Sequence, residues 1–228
     1  MELARLAVAD GTGRVVTTPH VGQIDLRELP ERVAHLRGLL AEAGVPLEVF
    51  GGGEISPIDV AGLTDDELEL IAQGPGDARW LLLEAPLWRD PGGLRRAADE
   101  LRARDFALVI GHPERSSGIS IEDLREHVGA GSTLQLNASS LAGLHGPAPA
   151  QAAVAIAQSG LPFILASDAH STARPPLMNP GAETLRAAGV PDDAVRLAVD
   201  TGPANLFESG HLAAERPRLD ADPPQRAA

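Results

Sequence analysis

An α/β fold of repeated βα units around a parallel sheet is the class this sequence predicts, on three observations. Six short apolar runs recur along the chain, each separated from the next by a stretch with helical spacing. Five of the six finish in a histidine, aspartate or glutamate, and parallel α/β folds gather their functional groups at that C-terminal end of the strands. A set of solvated loops would instead scatter Ser, Asn, Lys and Asp there. The 228 residues, 43% of them hydrophobic, suffice for one core, and with aromatics at only 3% small aliphatic side chains must pack it.

The elements follow in order. Met1 to Asp10 has Leu3, Leu6 and Ala7 spaced for one helical face, and Gly11 and Gly13 end it. Arg14 to Thr18 then reads as a strand delivering His20. Asp25 to Ala43 carries Leu26, Leu29, Val33, Leu36, Leu39 and Leu40, an amphipathic helix closed by Gly44. Pro46 to Ile55 is the second strand, with Gly51-Gly52-Gly53 before Glu54. Glycines in a strand let the backbone approach something closely; a phosphate cradle is one reading, but no Lys-Ser/Thr follows, which argues against a P-loop. Thr64 with Glu67 makes a capping box for a helix over Leu63 to Ala72.

Arg79 to Pro86 is the third strand and closes on Glu84. A helix over Pro91 to Arg104 leads to a fourth strand in the stretch Phe106 to Arg115, which delivers His112. Ile121 to Val128 is helical, Ser132 to Asn137 is the fifth strand, and Ala148 to Gln158 is again helical. The sixth strand, Phe163 to His170, ends in Asp168 and His170. Extended backbone presents residues i and i+2 on one side, so these two are placed to serve one site. Oxygen and imidazole donors at that spacing suit Zn²⁺, Mn²⁺ or Fe²⁺. Two helix-like segments follow, Gly181 to Ala188 and Asp192 to Thr201, and Asn205-Leu206-Phe207 is expected to pack back onto the body. Composition is uniform over 1–210, which predicts one domain, and 211–228 reads as a disordered tail.

Composition excludes several classes. A net charge of −13 argues against a nucleic-acid surface. No run approaches the length of a membrane span, and the start lacks a signal-peptide apolar core, so cytoplasmic residence is expected. With no cysteine, thiolate metal sites and cysteine-nucleophile mechanisms are ruled out.

Thr18-Pro19-His20, Gly53-Glu54-Ile55, Leu83-Glu84-Ala85-Pro86, Gly111-His112-Pro113-Glu114-Arg115, Asn137-Ala138-Ser139-Ser140-Leu141 and Ala166-Ser167-Asp168-Ala169-His170 stand in one order along the chain. In that order they resemble the bacterial metal-dependent protein-tyrosine phosphatases of capsule and exopolysaccharide loci, members of the polymerase-and-histidinol-phosphatase (PHP) superfamily. The likeness covers roughly residues 1 to 210. It implies a distorted seven-stranded βα barrel holding three divalent metals, Mn²⁺ foremost with Zn²⁺ or Fe²⁺ as alternatives. By that pattern Glu54 bridges two metals, one of them completed by Glu84 and His112. Asp168 joins Glu54 on the second, and His20 and His170 hold the third. Arg115 and Arg174 match the family's phosphate-binding arginines, although Glu114 and Arg115 also suit mutual pairing and Arg-Pro-Pro is ordinary loop chemistry. The reaction implied is phosphomonoester hydrolysis by metal-activated hydroxide. The substrate implied is phosphotyrosine on a protein, a polysaccharide-synthesis tyrosine autokinase; a homo-oligomer is compatible.

The chain departs from the pattern at its start. The strand bearing Asp-X-His-X-His and the Leu-Pro-Gly-X-Asp-Asp-Gly segment have no counterpart, so the expected barrel lacks its first strand and only one metal keeps its full ligand set. His35, His127, His145 and His211 stand in helix or loop contexts and are not obvious replacements; His145 reads as a surface residue. Trp80 reads as core and Trp88 as site rim. Two alternatives therefore stay open: another PHP phosphoesterase, such as one for histidinol phosphate, or a catalytically dead, metal-poor binding module.

Overall fold

The computed structural model describes residues 1–88 and 90–212. Among these residues seven strands form: β1 (Arg14–Thr17), β2 (Glu48–Gly51), β3 (Glu54–Ile55), β4 (Trp80–Glu84), β5 (Ala107–Gly111), β6 (Thr133–Asn137) and β7 (Phe163–Ala166). The number comes from a division of the second apolar run and not from an added one. A Cβ on Gly52 would lie 2.5 Å from Val16 Cγ1, and one on Gly53 2.8 Å from Val21 Cγ1. Only glycine fits where β1 crosses so closely, and the run breaks there into β2 and β3.

Among the described residues the strand ladders are all parallel and sequential. β1 pairs with β2, and β3-β4-β5-β6-β7 form a five-stranded sheet. A single parallel bridge from His20 to Glu54 carries the order from one sheet to the other. The expected α/β class with a parallel sheet is thus what the chain adopts. Among the described residues no ladder pairs β7 with β1.

Among the described residues ten α-helices run between and beyond the strands: α1 (Glu2–Ala9), α2 (Leu29–Glu42), α3 (Asp65–Ile71), α4 (Pro91–Ala103), α5 (Ile121–Gly129), α6 (Ala138–Leu141), α7 (Pro147–Gln158), α8 (Met178–Ala187), α9 (Asp192–Arg196) and α10 (Gly202–Ser209). The capping box expected at Thr64 is present, and a second stands at Ser120 with Asp123. The helix expected from Asp25 opens with a 3-10 turn over Leu26–Glu28, because Asp25 accepts a hydrogen bond from the Arg27 N–H and turns the chain first. Asp10, just past α1, accepts from the backbone N–H groups of Met178 and Asn179, which ties the first helix to the start of α8. No helix among the described residues is long and apolar enough to cross a membrane.

The two faces of the sheet are packed differently. Leu81, Leu83, Leu108, Ile110, Leu134, Leu136 and Leu165 enter the main core with the helices. The opposite face carries Trp80, Val109 and Ile164, covered by Leu206 of α10 and by Leu212. Trp80 Nε1 donates to the Leu206 carbonyl at 3.0 Å, and Phe207 stands 4.9 Å from the Phe50 ring and 6.3 Å from Trp80. Asn205-Leu206-Phe207 therefore packs back as expected, and Trp80 is core. Because side chains alternate along a strand, the face that buries Trp80 and Leu82 presents Glu84 at its C-terminal end. The expected tail over 211–228 lies outside the described residues from 213 onward.

Behind the end of β6, helix α8 comes so close to α6 that a Cβ on Gly181 would sit 2.9 Å from Ala138 Cα. Replacing Gly181 by Val is expected to cost about 1–3 kcal/mol through overpacking, measured as a lowered urea midpoint at unchanged slope.

Candidate metal centre

Glu54 opens the short strand β3, Glu84 ends β4 and His112 directly follows β5, so the three come from neighbouring strands. Register places Glu84 opposite Gly111, so His112 follows immediately beyond it. Gly111 leaves the space needed, since a Cβ there would be 3.3 Å from Leu82 Cδ1 and 3.6 Å from Glu54 Oε1. His112 is buried and left-handed, with φ 34° and ψ 51°, an unusual conformation for a residue with a side chain. Its Nε2 lies 2.9 Å from Glu54 Oε1 and 3.6 Å from Glu84 Oε1. The bridge to β3 brings His20 alongside, with Nδ1 3.4 Å from Glu54 Oε2. His20, Glu54 and Glu84 each offer a ligand atom, all within 4.8 Å of one another.

The electrostatics of this cluster favour a cation. Burial, followed by the neighbouring Glu54 charge, raises the Glu84 pKa above the ordinary carboxylate value. Burial pulls His112 downward, but its hydrogen bond to Glu54 and the charges of Glu54, Glu114 and Asp168 outweigh it and leave the imidazole raised. Two carboxylates and two imidazoles with no cationic side chain among them form a donor set of the kind that holds Mn²⁺, Fe²⁺ or Zn²⁺. The residues present fit such an ion.

The second half of the site is built around Asp168. β7 ends at Ala166, and Asp168 is itself left-handed with φ 46°. The extended backbone expected to present Asp168 and His170 on one side is therefore absent; the chain turns at Asp168 instead. His170 Nδ1 lies 2.9 Å from the Asp168 carbonyl oxygen and 3.6 Å from Oδ1, and the ring is half-exposed. A tight turn over Ser171 to Arg174 returns Arg174 to the site. Asp168 Oδ2 accepts from Arg115 Nη1 at 3.2 Å, from Asn137 Nδ2 at 2.6 Å and from Arg174 Nη2. The predicted residues thus form two adjoining groups: His20, Glu54, Glu84 and His112 in one, and Arg115, Asp168, His170 and Arg174 in the other.

Several partners escaped the sequence reading. Glu114 does not pair with Arg115 but turns inward, accepting from the Asn137 N–H at 3.1 Å and from Ser140 Oγ at 2.7 Å. Burial raises its pKa despite these bonds. His145, read as a surface residue, has Nδ1 3.0 Å from Ser140 Oγ; burial and then Arg115 and Arg174 lower its pKa. Asn137 stands at a strand end like the other site residues, and that position was the available signal. Trp88 is 77% exposed.

The fold and site together define an α/β protein whose parallel strands gather imidazoles and carboxylates beside a pair of guanidinium groups. Residues 1–204 match the family described as capsular polysaccharide synthesis, CpsB/CapC, and the chain belongs to that family. It is 28% identical over 186 residues to CapC of Staphylococcus aureus, assigned as a tyrosine-protein phosphatase, covering 78% of this chain and 71% of that protein. It is also 28% identical over 180 residues to the tyrosine-protein phosphatase YwqE of Bacillus subtilis, covering 75% and 69%. A crystal structure from work on YwqE and on CpsB of Streptococcus pneumoniae, described as unique metal-dependent tyrosine phosphatases, superposes with a TM-score of 0.71. That match has 24% identity and covers 90% of this chain and 84% of the other, a likeness of fold.

The raised groups carry a sign. A group that binds its proton more tightly when folded stabilises the fold below its unfolded pKa and loses that contribution as pH rises through its folded value. Glu84 and His112 both act this way. The metal-free protein is expected to lose thermal stability as pH rises through the acid and neutral range, and Glu84→Gln to lose less. Melting temperatures across that range, with and without chelator, check this; equal slopes would remove Glu84 as its source.

Proposed function

We propose that this chain is a metal-dependent phosphomonoester hydrolase that removes phosphate from phosphotyrosine on a protein. The observation that carries the reading is the meeting of His20, Glu54, Glu84 and His112 at one rim, beside the arginine pair on Asp168. The named activities of CapC and YwqE support it. In this reading Glu54, Glu84 and His112 hold one divalent cation, with His20, Asp168 and His170 available to others, and Mn²⁺ is the ion expected. A cation bound there supplies charge neutralisation at the phosphoryl oxygens and acidifies water. Arg115 and Arg174 orient the phosphoryl group through their planar forks. Glu54 and Glu84, acceptors only, keep the cluster anionic and so select a cation over a second anion. The chain has no cysteine, which fits direct attack by water without a thiol intermediate. The partner proposed is a tyrosine autokinase of polysaccharide synthesis, met in the cytoplasm.

Turnover of p-nitrophenyl phosphate with added Mn²⁺ tests the activity. Glu54→Ala should bring it to background, and Arg115→Ala should lower kcat/KM by about 10²–10³-fold, the usual cost of losing a donor to developing phosphoryl charge. Retained rates in Glu54→Ala would remove that residue from the site. Competing a phosphotyrosine peptide against histidinol phosphate decides the substrate; a preference for histidinol phosphate would overturn the tyrosine reading.

A further inference from the structure

Among the described residues the most exposed large apolar side chains are Ile58, 87% exposed, Trp88, 77%, and Leu144, 47%. A single exposed apolar residue is ordinary on a protein surface. These three, however, all stand at the end of the sheet that carries the candidate metal centre. Ile58 lies four residues beyond Glu54, Trp88 lies four beyond Glu84, and Leu144 directly precedes His145. β3 and β4 are paired, so the segments bearing Ile58 and Trp88 leave the sheet side by side.

Trp88 is also tied to the segment that carries Arg115. The carbonyl oxygen of Leu87, its neighbour in the chain, accepts from the backbone N–H of Ser117 at 3.2 Å and from Ser117 Oγ at 3.3 Å. Ser117 stands two residues beyond Arg115, in the stretch that begins with His112. Below the site, the face that bears Glu84 is filled by Trp80, Val109 and Ile164. A phosphoryl group held at Arg115 therefore turns its ester oxygen outward, and whatever that oxygen carries meets the rim. An indole left in solvent offers a flat apolar face with which another aromatic ring pairs favourably. A charged centre edged by such a face matches a ligand with an anionic head and an aromatic body.

We propose that Trp88 is a specificity-determining residue, whose indole packs against the ring of an aryl phosphomonoester and so favours aryl over alkyl esters. The phosphoryl end of that ligand rests on the hydrolase reading above. The ring is present in the ground state and in the transition state alike, so the contact strengthens binding and leaves the chemical step as it is.

Phenylphosphonate and methylphosphonate carry the same anionic head and differ in the ring. Their affinities for the full chain with Mn²⁺ are measured by calorimetry, beside turnover of p-nitrophenyl phosphate. The unaltered chain should bind phenylphosphonate about tenfold more tightly than methylphosphonate. Trp88→Ala should erase that preference by weakening phenylphosphonate alone, and should raise KM for p-nitrophenyl phosphate about tenfold with little change in kcat. Trp88→Phe, which keeps an aromatic face, should restore both. The chain's other tryptophan, Trp80, is buried, so phenylphosphonate should alter the fluorescence of the unaltered chain and not that of Trp88→Phe. A ring preference that survives in Trp88→Ala overturns the proposal, as does equal weakening of both phosphonates or a loss confined to kcat. Turnover by the unaltered chain without any ring preference removes the role of Trp88 and leaves the hydrolase reading standing. Neither turnover nor phosphonate binding with Mn²⁺ removes the hydrolase reading, and this proposal with it.

Discussion

Glu54 and Glu84 sit on adjacent parallel strands, and burial alone already disfavours the charge of Glu84. Their proximity follows from register: β3 lies beside β4 with Glu54 opposite Leu82, and Glu84 stands two residues further on the same face. The arrangement is electrostatically unfavourable by itself, and two imidazoles only partly offset it. What holds it is the packing below. The main core on one face and the Trp80, Val109 and Ile164 layer on the other leave the strands no freedom to slide. A slip of one residue would turn every core side chain outward.

Backbone strain marks the same rim. Three non-glycine residues among those described have positive φ, and two of them are His112 and Asp168. Such conformations cost about 1–3 kcal/mol each and persist where the surroundings impose them. Here each lies one or two residues past a strand end, and each turns a functional side chain back over the sheet. The strain at His112 aims its ring between two carboxylates. At Asp168 it brings the carboxylate beneath two guanidinium groups.

The two groups of residues are complementary in charge. One gathers carboxylates and imidazoles; the other presents guanidinium and amide donors around Asp168. Asp168 belongs to the second by its hydrogen bonds, yet its own charge matches the first.

Alternation of apolar runs with helical spacing was enough to specify the α/β class, because strand and helix periods are local properties of the chain. The capping box at Thr64 and the strand-end residues His20, Glu54, Glu84 and His112 were legible for the same reason. The break between β2 and β3 was not, since it depends on Val16 and Val21 pressing on Gly52 and Gly53 from elsewhere in the chain. Nor was the inward turn of Glu114, nor the pairing of Asn137 and both arginines with Asp168. A sequence specifies which groups stand at the strand ends; only register, left-handed turns and the close approach of distant segments decide which of those groups meet.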